Sequence, residues 1–288
     1  MKAKVITGVI AAVFAIVMVC LQFTPLFEIA LAFFTFRANF ELLRAAGAKN
    51  KTLIAITSVP ATAMPFVLRY DLTHYLPVPL VVVFLAYVFV LLLLMLAEYE
   101  NTRFEHIAMA LVSSLFVPYV MSLLVKIRDF YPDAPLSTRA YMMVFTLICA
   151  WISDAMAYFV GSKFGKHKMA PKISPKKSWE GAVGGVIGTV VINLIVFGVY
   201  YTLYRIGWIR MLEFPFWLVP ILSALLSVVG MLGDLSASVI KRNYSIKDYG
   251  TVMGEGNGGV MDRFDSAIFV IGAMYALLLI VRAAGLHT

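Results

Sequence analysis

The chain has 288 residues, of which 61% are hydrophobic and only 14% are charged, and its mean hydropathy is +0.88. Soluble domains contain roughly 45–50% apolar and about 25% charged residues, so this composition excludes a water-soluble globular protein. The formal net charge is +8, and both cysteines, Cys20 and Cys149, lie in apolar runs, which predicts neither a disulfide framework nor a cysteine metal site.

Apolar runs long enough to cross a bilayer recur along the whole chain, and they predict an all-α, polytopic integral membrane bundle of about nine transmembrane helices. In chain order the runs are 5–22, 25–43, 52–68, 77–97, 105–126, 140–162, 181–203, 216–240 and 264–284. We interpret the first run as a retained span because no small-residue cleavage site follows it. The third contains Pro60 and Pro65, which membrane helices tolerate when neighbours satisfy the freed backbone groups.

Most lysines and arginines fall in one of the two alternating sets of loops. Because positively charged loops stay in the cytoplasm, the pattern places the N-terminus and two long basic loops, 163–180 and 241–263, on the cytoplasmic face of the cell (inner) membrane. An odd number of spans then places the C-terminus outside. We divide the chain into N-terminal transmembrane helices, 1–135, and a C-terminal catalytic transmembrane region, 136–288, which includes both basic loops.

The first basic loop follows an acid inside an apolar run. Asp154 lies well within the run, where a carboxylate costs several kcal/mol unless it faces a partner or a wet cavity, so we expect a functional role. The loop carries six lysines, among them Lys172, Lys176 and Lys177, which together could neutralise a triphosphate. Ser178 predicts the start of the next helix, and a helix N-terminus beside lysines is typical of an anion site.

The second basic loop is flanked by acids at helical spacing. Asp234, Ser238 and Lys241 are separated by four and three residues, so they share one helix face and indicate a path from a metal ion to a phosphate. Asp262 and Asp265 likewise share one face. Carboxylates without nearby histidine or cysteine suit Mg²⁺, and the four scattered histidines argue against zinc. The candidate metal ligands are Asp154, Asp234, Asp262 and Asp265.

Glycines precede the last predicted helix. Gly254, Gly256 and Gly259 match a G-x-G-x-x-G string, but no predicted strand comes before it, which argues against a dinucleotide-binding fold. Small residues still allow backbone N–H groups to approach phosphate oxygens closely. We therefore expect Asn257, Gly258 and Gly259 to contact a substrate phosphate.

Taken together, these motifs resemble the signature of the phosphatidate cytidylyltransferase (CDP-diacylglycerol synthase) family. The signature begins Ser-x-hydrophobic-Lys-Arg, which matches residues 238–242, and continues with Lys-Asp at 247–248. It ends Gly-Gly-hydrophobic-x-Asp-Arg-hydrophobic-Asp, which matches 258–265, and the segment 154–185 resembles a second characteristic stretch. The resemblance covers roughly the C-terminal half of the chain.

One departure from the family pattern lies directly before the paired glycines. The family usually has Pro-Gly-His there, whereas this chain has the longer sequence Gly254-Glu255-Gly256-Asn257. Asparagine forms hydrogen bonds but cannot carry a proton as imidazolium does. A weakened or altered activity, or an inactive relative that serves as a binding partner, is therefore an alternative.

The resemblance implies transfer of a cytidylyl group from CTP to phosphatidate in phospholipid biosynthesis, giving CDP-diacylglycerol and pyrophosphate. The implied catalytic residues are Asp234, Lys241, Arg242, Asp262 and Arg263. The implied substrate-binding residues are Lys172, Lys176, Lys177, Ser238, Lys247, Asp248, Asn257, Gly258 and Gly259. The resemblance also implies Mg²⁺, a second cation such as K⁺, a homodimer among membrane lipids and no nucleic-acid partner.

Two other functions remain open at this stage. A CTP-dependent enzyme for another lipid, either a polyprenol kinase or an ether-lipid cytidylyltransferase, would share the chemistry, although the full pattern from Ser238 to Asp265 argues against the kinase. An ion-coupled transporter would use Asp154 and Asp234 as an ion path. It predicts internal repeats, which the sequence does not display.

Overall fold

A computed structural model describes residues 17–210, 215–250 and 258–284 of the chain, and these residues are mainly helical. The main elements, in chain order, are α1 Pro25–Ala45, α2 Lys51–Arg69, α3 Leu80–Ala97, α4 Phe104–Arg128, α5 Leu136–Phe164, β1 Lys168–Ala170, β2 Ser174–Ser178, α6 Trp179–Arg205, α7 Leu218–Asn243 and α8 Met261–Ala283. A short 3-10 helix, Leu72–Tyr75, lies between α2 and α3. The prediction of an all-α polytopic membrane protein is confirmed.

Within the described residues, seven helices, α2 to α8, are long and apolar enough to cross a membrane. Helix α1 corresponds to the predicted run 25–43 but is not one of the seven, because it carries the charged residues Glu28, Arg37, Glu41 and Arg44. The first predicted run, 5–22, lies mostly outside the described residues. The number of nine spans therefore stays a prediction.

The third predicted run forms one continuous helix despite its prolines. The Asn50 side chain caps α2 by accepting hydrogen bonds from the backbone N–H groups of Thr52 and Leu53, at 2.9 and 3.1 Å. Pro60 and Pro65 both lie inside α2. A local π-helical turn, Val112–Phe116, interrupts α4.

The chain forms two compact units, the first made of residues 1–125 and 244–263 and the second of 126–243 and 264–288. The predicted division into 1–135 and 136–288 concerns catalytic role, and it stays a prediction.

In the first unit α1 packs on α2 and on the π-helical turn of α4. Asn39 joins all three, since it donates to Thr57 Oγ1 at 3.2 Å and accepts from Ser113 Oγ at 2.8 Å. Hydrogen bonds of this kind hold helices together where lipid offers no polar partner.

In the second unit, α5, α6 and α7 pack against one another along small residues. A Cβ added at Gly181 would lie 2.7 Å from the Ala157 carbonyl oxygen, and one at Gly185 would lie 2.9 Å from the Ser153 carbonyl oxygen. Ser153 Oγ is also 2.6 Å from Ser227 Oγ of α7. Close backbone approach of α5 and α6 depends on these glycines, and it fixes the part of α5 that carries Asp154.

Candidate active site

Three carboxylates of the second unit come together with two lysines. We call this set, Asp154 of α5, Lys177 of β2, Asp234 of α7, Lys241 of α7 and Asp265 of α8, the carboxylate–lysine cluster. The charge of Asp234 acts on both Asp154 and Asp265, so the three acids lie close together. Each of them comes from a separate helix that the sequence predicted. The helical spacing in the sequence grouped residues of one helix and did not predict that these three acids meet.

Each acid of the cluster has a specific partner. Lys177 Nζ forms an ion pair with Asp234 Oδ2 at 2.5 Å, and Lys241 Nζ lies 3.5 Å from Asp265 Oδ2. Asp154 accepts a hydrogen bond of 2.6 Å from Ser266 Oγ. The Lys177 Nζ atom is sealed from solvent, and its contact with Asp234 is an ion pair without the angles of a directed hydrogen bond. Lys177 therefore neutralises Asp234, and it would have to change partner before it could contact an incoming anion.

The first basic loop forms a short antiparallel hairpin of β1 and β2, which the fold prediction did not include. Ser178 caps α6 as expected, with its Oγ accepting from the Gly181 N–H at 3.2 Å. Arg242 Nε donates to the Ile173 carbonyl oxygen at 3.2 Å and so ties the end of α7 to the hairpin turn. Lys172 and Lys176 are exposed to solvent. Of the three lysines predicted to hold the nucleotide, the structure brings only Lys177 into the cluster.

The first unit contains the turn at the start of α8, residues 258–262. Asp262 Oδ2 accepts hydrogen bonds from the backbone N–H groups of Tyr249, at 2.8 Å, and Gly259, at 2.9 Å. Gly258 has a φ of +75°, a backbone conformation that favours glycine. Asp262 thus closes the turn, in addition to any role toward a metal.

Glu41 of α1 also binds this turn, and the sequence interpretation missed it. Its two carboxylate oxygens accept from the N–H groups of Val260, at 3.1 Å, and Met261, at 2.9 Å. Arg37 Nη2 lies 3.6 Å from Glu41 Oε1. The signal was present, because Glu41 is an acid within a run drawn as a membrane span, as Asp154 is.

The other predicted site residues differ in how far they are exposed to solvent. Ser238 is buried on α7 at 7% exposure. Lys247, Asp248 and Arg263 are exposed to solvent. Asn257 lies outside the described residues, so its predicted phosphate contact stays a prediction.

The cluster contains the oxygen donors that Mg²⁺ prefers, but it does not form a complete cage. Within residues 17–210, 215–250 and 258–284, no three acidic, histidine or cysteine side chains are arranged to hold a metal ion by themselves. Mg²⁺ commonly binds one or two protein carboxylates and completes its shell with water and substrate phosphates. The carboxylates of the cluster are oxygen donors of the kind that Mg²⁺ prefers, and the ion itself stays a prediction.

Comparison with known proteins identifies the family. The model of the cytidylyltransferase family matches residues 2–281. The phosphatidate cytidylyltransferase of Bacillus subtilis is 31% identical over 281 residues, which are 96% of this chain and 97% of that protein. The proteins of the same name from Staphylococcus saprophyticus and Staphylococcus haemolyticus are 35% identical over 143 residues and 32% over 155, covering 50% and 54% of this chain and 51% and 55% of those proteins. Since the family model spans nearly the whole chain, the chain belongs to the cytidylyltransferase family.

Proposed function

We propose that this protein transfers a cytidylyl group from CTP to phosphatidate, forming CDP-diacylglycerol and releasing pyrophosphate. The observation that carries the proposal is the carboxylate–lysine cluster, in which acids from three membrane-spanning helices meet two lysines. The relatives named phosphatidate cytidylyltransferase support the choice of lipid.

The reaction needs alignment and charge neutralisation more than proton transfer. A phosphate oxygen of the lipid attacks the α-phosphorus of CTP, the bond from that phosphorus to the bridging oxygen breaks, and pyrophosphate leaves with the bond's electron pair. The attacking phosphate is already an anion, so no general base is required. The protein must hold two mutually repelling anions in line and stabilise the charge that develops on the leaving group.

The acids of the cluster would hold the divalent cation. Asp154, Asp234 and Asp265 are the ligands that we propose from the second unit, and Asp262 is the candidate from the 258–262 turn. When bound, Mg²⁺ would neutralise phosphate charge and orient the phosphate groups for in-line transfer. A second cation such as K⁺ remains part of the proposal only through the family resemblance.

The lysines of the cluster would exchange partners when the nucleotide binds. Lys177 neutralises Asp234 in the structure described here. A cation at Asp234 would repel the ammonium, which could then bind a phosphate oxygen. Lys241 beside Asp265 and Arg242 at the hairpin turn would add positive charge toward the pyrophosphate.

The placement in the cell extends the same proposal. We propose that both basic loops face the cytoplasm, where CTP is available, and that the protein lies in the cell membrane as a homodimer. The excess of lysine and arginine in these loops supports the orientation.

A direct assay tests the function. Purified protein in detergent is incubated with CTP, Mg²⁺ and a panel of phosphatidate, polyprenol and an ether-lipid phosphate, and the products are separated by mass. We expect a CDP-linked diacylglycerol and one pyrophosphate per turnover, with product formation lower by about two orders of magnitude in the Asp234→Asn variant. Polyprenyl phosphate and CDP as products would identify a kinase, and a CDP-linked ether lipid would replace phosphatidate as the substrate. No nucleotide-linked lipid from well-folded protein would overturn the proposal.

A further inference from the structure

Glu41 is among the most deeply buried acids of the first unit, with only 1% of its surface exposed. A buried carboxylate is costly unless its oxygens receive hydrogen bonds. Glu41 meets this need at the start of α8, where one oxygen accepts from the Val260 N–H and the other from the Met261 N–H. The positive end of the helix dipole stabilises a negative charge at this place.

Two glycines make room for this carboxylate. A Cβ added at Gly250 would lie 2.8 Å from Glu41 Oε1, and one added at Gly259 would collide with Glu41 Oε2. Gly259 belongs to the paired glycines of the signature. Its missing side chain is explained here by a protein carboxylate, whereas the sequence argument assigned the space to a substrate phosphate.

A second carboxylate bonds to the same backbone. Asp262 Oδ2 accepts from the N–H groups of Tyr249 and Gly259. The backbone N–H groups of residues 259, 260 and 261 therefore all donate to carboxylates of the protein itself. They are engaged before any phosphate binds, which argues against these three groups as the phosphate cradle.

We propose that Glu41 is a positioning residue for cytidylyl transfer, which holds the 258–262 turn so that Asp262 and Arg263 are presented to the substrates. This inference rests on the proposed function. Glu41 does not contact substrate, because both of its oxygens bind the turn. It acts through the backbone that carries two of the proposed catalytic side chains.

The chemistry of the contact requires a carboxylate and not an amide. Both oxygens of glutamate accept hydrogen bonds, and both are used here. In glutamine, one oxygen is replaced by an NH₂ group, which would point its hydrogens at a backbone N–H that also donates. Glu41→Gln therefore keeps the shape of the side chain but breaks one bond and introduces repulsion.

The first experiment compares two buried glutamates of the same helix. Glu28 has 2% of its surface exposed and lies 3.4 Å from Arg69, so Glu28→Gln removes a matched charge from α1. For monodisperse Glu41→Gln we expect the KM for CTP, or the Mg²⁺ concentration that gives half the maximal rate, to rise about tenfold or more. Glu28→Gln should leave both within about threefold of the parent. A loss of rate that is matched by a smaller folded fraction in thermal unfolding, with unchanged KM and Mg²⁺ dependence, would assign Glu41 to folding alone and would overturn the proposal.

The second experiment enlarges one of two contacting residues, Gly259, and shortens the other, Glu41. Gly259→Ala should push the Glu41 carboxylate away from the turn, and Glu41→Asp shortens the side chain by one methylene group. If the two residues act through this contact, the double variant should lose less activity than the product of the single losses. A loss equal to or larger than that product would contradict the contact. The single variants and the double variant all keep the negative charge at position 41. This comparison therefore tests the contact between Glu41 and Gly259 even if Glu41→Gln fails to fold.

The parent protein separates the two possible failures. If it makes no CDP-diacylglycerol, the proposed function fails. If it does so and Glu41→Gln retains the parent KM, kcat and Mg²⁺ dependence, only the positioning role fails.

Discussion

At the scale of single residues, the carboxylates of this protein have three different kinds of partner. Asp234 pairs with a lysine, Asp154 accepts from a serine hydroxyl, and Glu41 and Asp262 accept from backbone N–H groups. The first two arrangements leave the carboxylate charge close to lysine side chains, as a site for metal-bound phosphate requires. The last one stabilises a turn.

Asparagine substitutions separate these roles. Asp234→Asn removes a proposed metal ligand with little change of shape, so we expect activity to fall by about two orders of magnitude while folding persists. Asp262→Asn should behave likewise, because the amide oxygen can still accept both turn hydrogen bonds while the charge is lost. The measurements are turnover and thermal unfolding in detergent.

The two substitutions should also be combined. Groups that hold one metal act as a unit, so the double variant should cost far less than the product of the single losses. Near-normal activity in well-folded Asp262→Asn would mean that Asp262 stabilises the turn and is not a metal ligand. The same result for Asp234→Asn would exclude Asp234 from the metal site.

The sequence named every residue of the cluster as a candidate, but from different signals. Asp154 was noticed because it is an acid within an apolar run, and Asp234 and Lys241 because they share a helix face. Glu41 is also an acid within an apolar run, but its partners could not be predicted, because they are backbone N–H groups more than two hundred residues away in the sequence. Backbone groups carry no sequence signature, so only a structure could reveal that contact.

At the scale of elements, the β1–β2 hairpin determines which basic side chains reach the cluster. Successive residues of a strand point to opposite faces, so neighbouring lysines of β2 differ in position. Lys177 contacts Asp234, whereas Lys176 is exposed. The sequence predicted an extended basic loop but not the alternation, because a short hairpin rich in lysine and proline has no apolar pattern to indicate its register.

These neighbouring lysines form a matched pair for substitution. We expect Lys177→Gln to lower kcat/KM for CTP about tenfold or more, since it removes a charge that is sealed from solvent. Lys176→Gln removes the same charge from an exposed position, where ionic interactions are worth at most about 1 kcal/mol, and should change kcat/KM less than about fivefold. Equal effects of the two substitutions would mean that the hairpin acts only through its total charge.

Helix α6 offers a second comparison within one element. A Cβ at Gly181 would meet the backbone of α5, and α5 cannot move aside without disturbing Asp154, so Gly181→Ala should destabilise the protein by about 1–3 kcal/mol. Gly198 has nothing within 4 Å of an added Cβ, so Gly198→Ala should be neutral or stabilise the helix by up to about 1 kcal/mol. Unfolding in mixed detergent measures both. Similar destabilisation by the two substitutions would show that close packing of α5 on α6 is not the cause.

At the scale of the whole molecule, composition alone predicted the membrane setting. Runs of apolar residues identified each of the seven helices that are long and apolar enough to span a bilayer. The number of membrane spans was harder to predict. Helix α1 was drawn as a span although it carries Glu28, Arg37, Glu41 and Arg44, and its acids are paired with arginines or backbone groups inside the first unit.

The orientation of the chain can be tested with two engineered cysteines. In a background that carries Cys20→Ser, Pro171→Cys places a thiol at an exposed position of the hairpin turn, and Trp208→Cys places one between α6 and α7, where the tryptophan is 78% exposed. Helix α6 separates these positions, so they should lie on opposite faces of the membrane. Because positively charged loops stay inside, a membrane-impermeant thiol reagent should label Trp208→Cys in intact cells and Pro171→Cys only after the cytoplasmic face is opened.

The remaining native cysteine supplies the background control for this labelling. Cys149 is buried, so the parent carrying only Cys20→Ser should stay unlabelled in intact and opened cells alike. Labelling of Pro171→Cys in intact cells, with Trp208→Cys protected, would reverse the orientation and place the lysines of the hairpin on the side without CTP. Labelling of both in intact cells would mean that α6 does not cross the membrane. Labelling of Trp208→Cys in intact cells, with Pro171→Cys labelled only after opening, is the one pattern compatible with an enzyme that takes CTP from the cytoplasm and attaches its cytidylyl group to a lipid of the same membrane.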